Sequence, residues 1–195
     1  MYNLITKRAI DFTAPAVLAD GSIKENFNLQ EETKGSYSVL FFYPFDFTFV
    51  CPTEIIEFSN MVSEFEKVGT KIIGCSTDSQ FSHHAWRNTP VTEGGIGNIS
   101  FPLVSDHRKE ISGNYGVLVN DNCALRATII TDANFIVRHI SINDLPVGRN
   151  VEEVLRLVKA FQYHEKHGDV CPVNWTNDKK SMIPTPDGVK EYLNS

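Results

Sequence analysis

Residues Tyr37 to Tyr43 read YSVLFFY, an apolar and aromatic run of strand length broken only by Ser38. A strand with one face in water alternates; a nearly unbroken run belongs to a strand covered on both faces, which requires a sheet with helices packed against it. The neighbouring segments supply such helices and further strands. After a turn-rich break, Thr53 to Val68 carries Ile55, Ile56, Phe58, Met61, Val62, Phe65 and Val68 at helical spacing, and Gly69 supplies a stop. KIIGCS (Lys71 to Ser76) repeats the buried-strand pattern, and Gln80 to Asn88 reads as a helix ended before Pro90. A short strand is expected at Phe101 to Val104 and a helical turn at Asp106 to Asn114. Strands Arg126 to Thr131 and Phe135 to Ile142 flank the hairpin-type turn Asp132-Ala133-Asn134. Asn150 with Glu153 forms a capping box for a helix whose apolar face is Val151, Val154, Leu155, Val158 and Phe161. The order βαβα followed by ββα predicts an α/β domain with a mixed central sheet flanked by helices.

Composition narrows the function. At about 150 residues per domain, a chain of 195 residues is one domain plus an appendage. Beyond His167 the sequence turns polar and Pro-bearing, so the expected division is a domain at 1–167 and an arm at 168–195, the arm laid on a second subunit. A net charge of −6 without a Lys/Arg block argues against nucleic acid and anionic membranes as partners. No stretch approaches the ~20 apolar residues of a membrane span. The N-terminal residues lack a signal-peptide pattern, and the expected location is cytoplasmic. In that reducing compartment the four cysteines, 51, 75, 123 and 171, are too sparse for a disulfide scaffold. They are core fillers, metal ligands or redox catalysts. No C-x-x-C exists, His164-Glu165-Lys166-His167 is not H-E-x-x-H, and Gly94-Gly95-Ile96-Gly97 lacks the G-K-[ST] of a phosphate loop. No metal or cofactor is expected. His83-His84 reads as a polar helix face, and Trp86 as core or interface.

The segment PFDFTFVCPTE, residues 44 to 54, carries the most chemistry. Six aromatics fall between Phe41 and Phe49, where strand passes into helix, and ligands of open α/β sheets sit beyond the carboxyl ends of strands. Cys51 precedes Pro52, a residue favoured at the first helical position, which puts the thiol at a helix N-terminus where negative charge is favoured. Glu54 stands where a capping-box carboxylate reaches back to the same turn. An ordinary thiol is only ~3% ionised at neutral pH, and making it mostly thiolate takes about 3.4 kcal/mol. One helix terminus supplies up to ~2 kcal/mol, so a cation is also needed. Arg126 and Arg149 are the candidates. The alternative for Cys51 is an inert cysteine amid aromatics; Cys75, in a strand, and Cys123, in a polar turn, read as inert; Cys171 lies outside any packed element.

These residues also carry a resemblance. Pro44, Thr48 and Cys51 form P-x-x-x-T-x-x-C, HGDVCP holds Cys171, and with NDLPVGR (Asn143 to Arg149) and LRATII the chain resembles a typical 2-Cys peroxiredoxin over about Leu4 to Leu193. The resemblance implies a thioredoxin-like fold with N-terminal strands and an extended C-terminal arm. It implies a thiol-dependent peroxidase, acting on hydrogen peroxide and organic hydroperoxides. Cys51 matches the peroxidatic cysteine and Cys171, from the partner subunit, the resolving one. Thr48 and Arg126 match the residues that align the peroxide, Pro44 the proline shielding the thiolate, and Glu54 and Arg149 a supporting charge network. The implied partners are thioredoxin or a dedicated disulfide reductase, and a second copy in a homodimer that assembles into a decamer. GGIG at Gly94 to Gly97 is close to the GGLG of over-oxidation-prone members, whereas Tyr192-Leu193 replaces their YF. A client-holding assembly and a disulfide reductase are the competing classes; retention of the five active-site positions together argues against the first, and the missing C-x-x-C against the second.

Overall fold

A computed structural model describes residues 3–195, so the first two residues of the stretch read for a targeting signal, and of the expected 1–167 domain, lie outside it. Two compact units divide between Val151 and Glu152. In the first, β1 (Thr13–Val17), β2 (Ile23–Asn28) and α1 (Leu29–Thr33) lead into β3 (Tyr37–Phe42) and α2 (Cys51–Asn60). Next come α3 (Val62–Lys67), β4 (Thr70–Ser76), α4 (Gln80–Asn88), a 3-10 turn at Val91–Glu93, β5 (Leu103–Ser105) and α5 (Glu110–Asn114). A short hairpin of β6 (Leu118–Val119) and β7 (Cys123–Ala124) precedes β8 (Arg126–Thr131) and β9 (Val137–Asn143).

Seven strands form one mixed sheet in the order β2-β1-β5-β4-β3-β8-β9. β3 pairs parallel with β4 and antiparallel with β8, so it lies inside the sheet, and all six of its residues are buried. That is the environment its apolar run demanded. α3 packs on β4, and α4 on β1 and β5. Between β3 and α2, Phe41 stacks on Phe58 with ring centroids 4.5 Å apart and meets Phe101 edge-on at 5.6 Å. Gly74 of β4 makes this approach possible: a Cβ there would stand 2.7 Å from Leu103 Cδ2 and 2.9 Å from Phe41 Cζ.

Three expectations shift. The helix read from Thr53 to Val68 is two, broken at Met61, whose backbone (φ −95°, ψ 2°) ends α2 and opens α3 while the apolar stripe continues across the break. The helical turn expected from Asp106 begins only at Glu110, because Asp106 caps it from outside, accepting the amides of Ile111 (3.0 Å) and Ser112 (2.7 Å). β1 and β2, implied only by the resemblance, carry no periodic signal: β2 is exposed over its first four residues.

The second unit holds α6 (Val151–His167) from its second residue onward, and α7 (Pro186–Leu193). Between them the polar segment is tied down locally. Val170 bridges Met182, Trp175 is buried against Tyr163 with centroids 4.9 Å apart, and the Trp175 carbonyl accepts from Arg156 Nη1 at 2.8 Å. Thr185 caps α7 by accepting from the Gly188 amide at 3.0 Å. Among the described residues no helix is long and apolar enough to cross a membrane.

Candidate active site

α2 begins at Cys51 itself, with Pro52 next, and Val50 at its N-cap has no side chain able to cap it. The Val50 carbonyl takes the Thr53 and Glu54 amides at 3.1 and 3.3 Å, so the first turn is closed, and the positive end of the helix dipole lies at the thiol, which is fully buried. Arg126, first residue of β8, donates from Nη1 to Cys51 Sγ at 3.3 Å and to Glu54 Oε2 at 2.7 Å. Its Nε is held by the Leu145 carbonyl at 2.7 Å. Of the two candidate cations, Arg126 is the one that hydrogen-bonds the sulfur.

Arg149 has a different position. It donates from Nε and from its backbone amide to Glu54 Oε1, both at 2.9 Å. It also reaches the carbonyls of Phe42 (2.6 Å) and Ala127 (2.8 Å), and lies over the Phe41 ring at 5.1 Å. Burial pushes its guanidinium below the ordinary value; Glu54 opposes this most strongly, with Cys51 a smaller charge acting the same way. None of these Arg149 hydrogen bonds reaches the sulfur, and Arg149 meets Arg126 through their shared partner, Glu54. Glu54 correspondingly departs from its expected capping role. One turn into α2, its carboxylate is claimed by two buried guanidinium groups, a stronger partnership than a backbone amide offers. The loop after β9 closes over this pair: a Cβ on Gly148 would stand 3.2 Å from Val50 Cγ1, a tight contact to which the Val50 side chain would have to yield by a few tenths of an ångström.

Pro44 is buried and Thr48 half-buried in the loop between β3 and α2. The Thr48 hydroxyl donates to the Phe45 carbonyl at 2.9 Å, leaving the oxygen lone pairs as acceptors. Phe47 in the same loop takes a left-handed backbone, φ +51°, with its ring 5.8 Å from Trp86. The loop is held from below by Asp46, whose carboxylate accepts from Tyr43 Oη (2.9 Å) and Ser82 Oγ (2.7 Å) and lies 2.8 Å from His83 Nδ1.

His83 corrects the sequence reading. It is fully buried, with Nε2 3.1 Å from the Val104 carbonyl. Its helix face, shared with Trp86 and Arg87, points inward although two of the three residues are polar. The i, i+3, i+4 spacing was the available signal. Cys123 also departs from expectation: it lies buried in β7 rather than in an open turn. Cys75 is buried in β4 as expected, and burial pushes its thiol well above the ordinary value. Cys171, in the second unit, is half-buried, with Sγ 3.4 Å from the Ala160 carbonyl, and an apolar groove of Leu157, Ala160, Phe161 and Val173 adjoins it. All four cysteines are free thiols, and no group of three or more His, Cys, Asp or Glu among the described residues is arranged to hold a metal ion.

Residues 5–140 match the model of the AhpC/TSA family, and residues 160–195 that of the C-terminal domain of 1-Cys peroxiredoxin. Alkyl hydroperoxide reductase C of Buchnera aphidicola (from Schizaphis graminum) is 49% identical over 98% of this chain and 97% of its own length. Peroxiredoxin-2 of Mus musculus is 53% identical over 97% and 94%. The reduced 2-Cys peroxiredoxin of Plasmodium vivax superposes with a TM-score of 0.96 at 46% identity, covering both chains completely. The thioredoxin-like fold implied by the motifs is the fold observed. With its buried thiol on a helix N-terminus, the chain belongs to the AhpC/TSA family and is a thiol-dependent peroxidase of the peroxiredoxin type.

Proposed function

We propose that Cys51 is the peroxidatic cysteine and Cys171 of the partner subunit the resolving one. The reading rests on one observation, the 3.3 Å contact between Arg126 Nη1 and the buried Cys51 Sγ at the start of α2. The thiolate attacks one oxygen of the peroxide, the O–O bond breaks, and the leaving oxygen takes a proton to depart as water or an alcohol. Cys51 becomes a sulfenic acid. Thr48, its own proton engaged by Phe45, accepts from the peroxide hydroxyl, and Arg126 stabilises the charge developing across the O–O bond. Pro44 keeps bulk water from the sulfur, while Glu54 and Arg149 fix Arg126 in place. Cys171 of the partner subunit then condenses with the sulfenic acid, forming a disulfide and releasing water. A thioredoxin-type reductant, or a dedicated disulfide reductase, reopens it.

This assigns residues 168–195 as an arm that brings a thiol to a neighbouring subunit, in a homodimer that closes into a decamer. Hydrogen peroxide and organic hydroperoxides are the substrates, and the cytoplasm the site of action. A non-reducing gel after addition of peroxide tests the scheme. A dimer band is expected in the wild type and in Cys75→Ser, and its loss in Cys51→Ser and in Cys171→Ser. A wild-type protein that stays monomeric on that gel overturns the intersubunit step.

A further inference from the structure

We propose that Cys123 is a second, intrachain resolving thiol for Cys51, acting when Cys171 of the partner subunit is unavailable. The inference rests on Cys51 being peroxidatic and adds a reaction partner within the same compact unit.

The placement comes from the sheet. Cys123 in β7 lies three residues before Arg126, the residue that holds Cys51 Sγ. The hairpin carrying it is fixed at the carboxyl end of β4, where Thr77 Oγ1 donates to the Asn122 carbonyl at 3.3 Å, and Lys109 Nζ fixes the Asp121 carbonyl at 2.7 Å. β3 and β8 pair with Phe41 opposite Thr128. Continued by two residues, that register sets Tyr43 level with Arg126. The segment from Cys123 to Arg126 and the loop from Pro44 to Cys51 therefore meet the sheet at one corner. Cys123 is 4% exposed, which shields it from thiols in solution while leaving it beside the catalytic corner. Its surroundings agree. Burial pushes the Cys123 thiol up, and among the charges acting on it that of Cys51 comes first and that of Arg126 second. Cys75, one residue before the end of β4, is fully buried, and the charge acting on it is that of Asp106.

The step balances without a new reagent. Peroxide oxidises Cys51 to the sulfenic acid; Cys123 Sγ attacks that sulfur, an S–S bond forms, the S–O bond breaks, and the hydroxyl leaves with the Cys123 proton as water. A disulfide needs Cα atoms about 4.4–6.8 Å apart, and Cys51 reaches Cys123 by opening the first turn of α2.

Full-length Cys171→Ser is treated with one equivalent of hydrogen peroxide, free thiols are alkylated, and the unreduced protein is digested and analysed by mass spectrometry. The expected result is a Cys51–Cys123 linked peptide, two hydrogens lighter than the sum of its parts, in the larger share of molecules. Cys171→Ser/Cys123→Ser, and equally Cys171→Ser/Cys123→Ala, is expected to lose that peptide and to accumulate Cys51 sulfinic acid several-fold more at excess peroxide. Recovery of Cys123 fully alkylated from oxidised Cys171→Ser overturns the inference. The wild-type digest separates the two claims: a Cys51–Cys171 peptide there, with no Cys51–Cys123 peptide in Cys171→Ser, removes only the intrachain route. Absence of any Cys51 disulfide in either protein removes both.

Discussion

Arg126 Nη1 serves Cys51 Sγ at 3.3 Å and Glu54 Oε2 at 2.7 Å from a single nitrogen. The donor aimed at the sulfur is thereby fixed by an acid one helical turn away, so, with Cys51 as the proposed reacting thiol, little reorganisation is needed when charge develops.

Replacing Arg126 by Gln removes both the charge and the Nη1 donor that reaches the sulfur, since the Gln amide ends about where Arg126 Nε lies. The second-order rate of Cys51 oxidation should fall by about 10²–10³, the usual cost of losing one such donor. Stopped-flow measurement with hydrogen peroxide decides it; a loss under tenfold would place the rate-determining stabilisation elsewhere.

Glu54→Gln leaves two guanidinium groups buried without their carboxylate, where the side chains of Arg126 and Arg149 are each 5% exposed. Breaking such a pair costs about 3–5 kcal/mol. For a chain of this length that lowers Tm by roughly 6–20 °C. Differential scanning calorimetry in the presence of reductant reads it directly, and a shift under a few degrees would show that Gln takes over the hydrogen bonds.

Burial holds the Cys75 thiol well above its ordinary value in the folded protein. Above about pH 8.5 the unfolded chain loses this proton while the folded chain keeps it. The native state then binds more protons than the unfolded state, so stability falls with rising pH, by at most about 1.4 kcal/mol per pH unit for this one group. Cys75→Val should flatten that alkaline decline between pH 8.5 and 10 in urea titrations. An unchanged slope would assign the decline to other groups.

Burial also raises the Cys171 thiol, and Arg156 pulls it part of the way back. In the reduced protein, alkylation of Cys171 should reach half-maximal rate at a pH above about 8.5, the value for a free thiol. Arg156→Ala should move that midpoint higher still. A midpoint that moves down would mean that opening of the second unit outweighs the lost charge.

Strong local signals made part of the fold and site legible in the sequence. The unbroken run at Tyr37–Phe42 announced an internal strand, and the Cys-Pro pair announced a thiol at a helix start; both are as expected. Glu54 misled because its spacing fits a cap equally well, and only β8 and the loop after β9, distant in sequence, bring the two arginines that claim it. His83 was missed for a related reason. Polarity marks a surface face unless a buried acceptor compensates, and Asp46 becomes that acceptor only once the loop after β3 meets α4. β1 and β2 lacked a readable period because only their last residues face the core.

Phe47 stands four residues before Cys51 with its backbone at φ +51°, a conformation that costs a bulky side chain on the order of 1–3 kcal/mol. Trp86 lies beside its ring, and the neighbouring Asp46 is anchored by His83. The chain leading into the catalytic helix is therefore a loaded spring rather than a slack tether. On the proposed assignment of Cys51 as the peroxidatic thiol, letting go of Arg126 frees Phe47 to return to an extended backbone, and the relief of that cost favours the opened turn in which a second thiol reaches the sulfur.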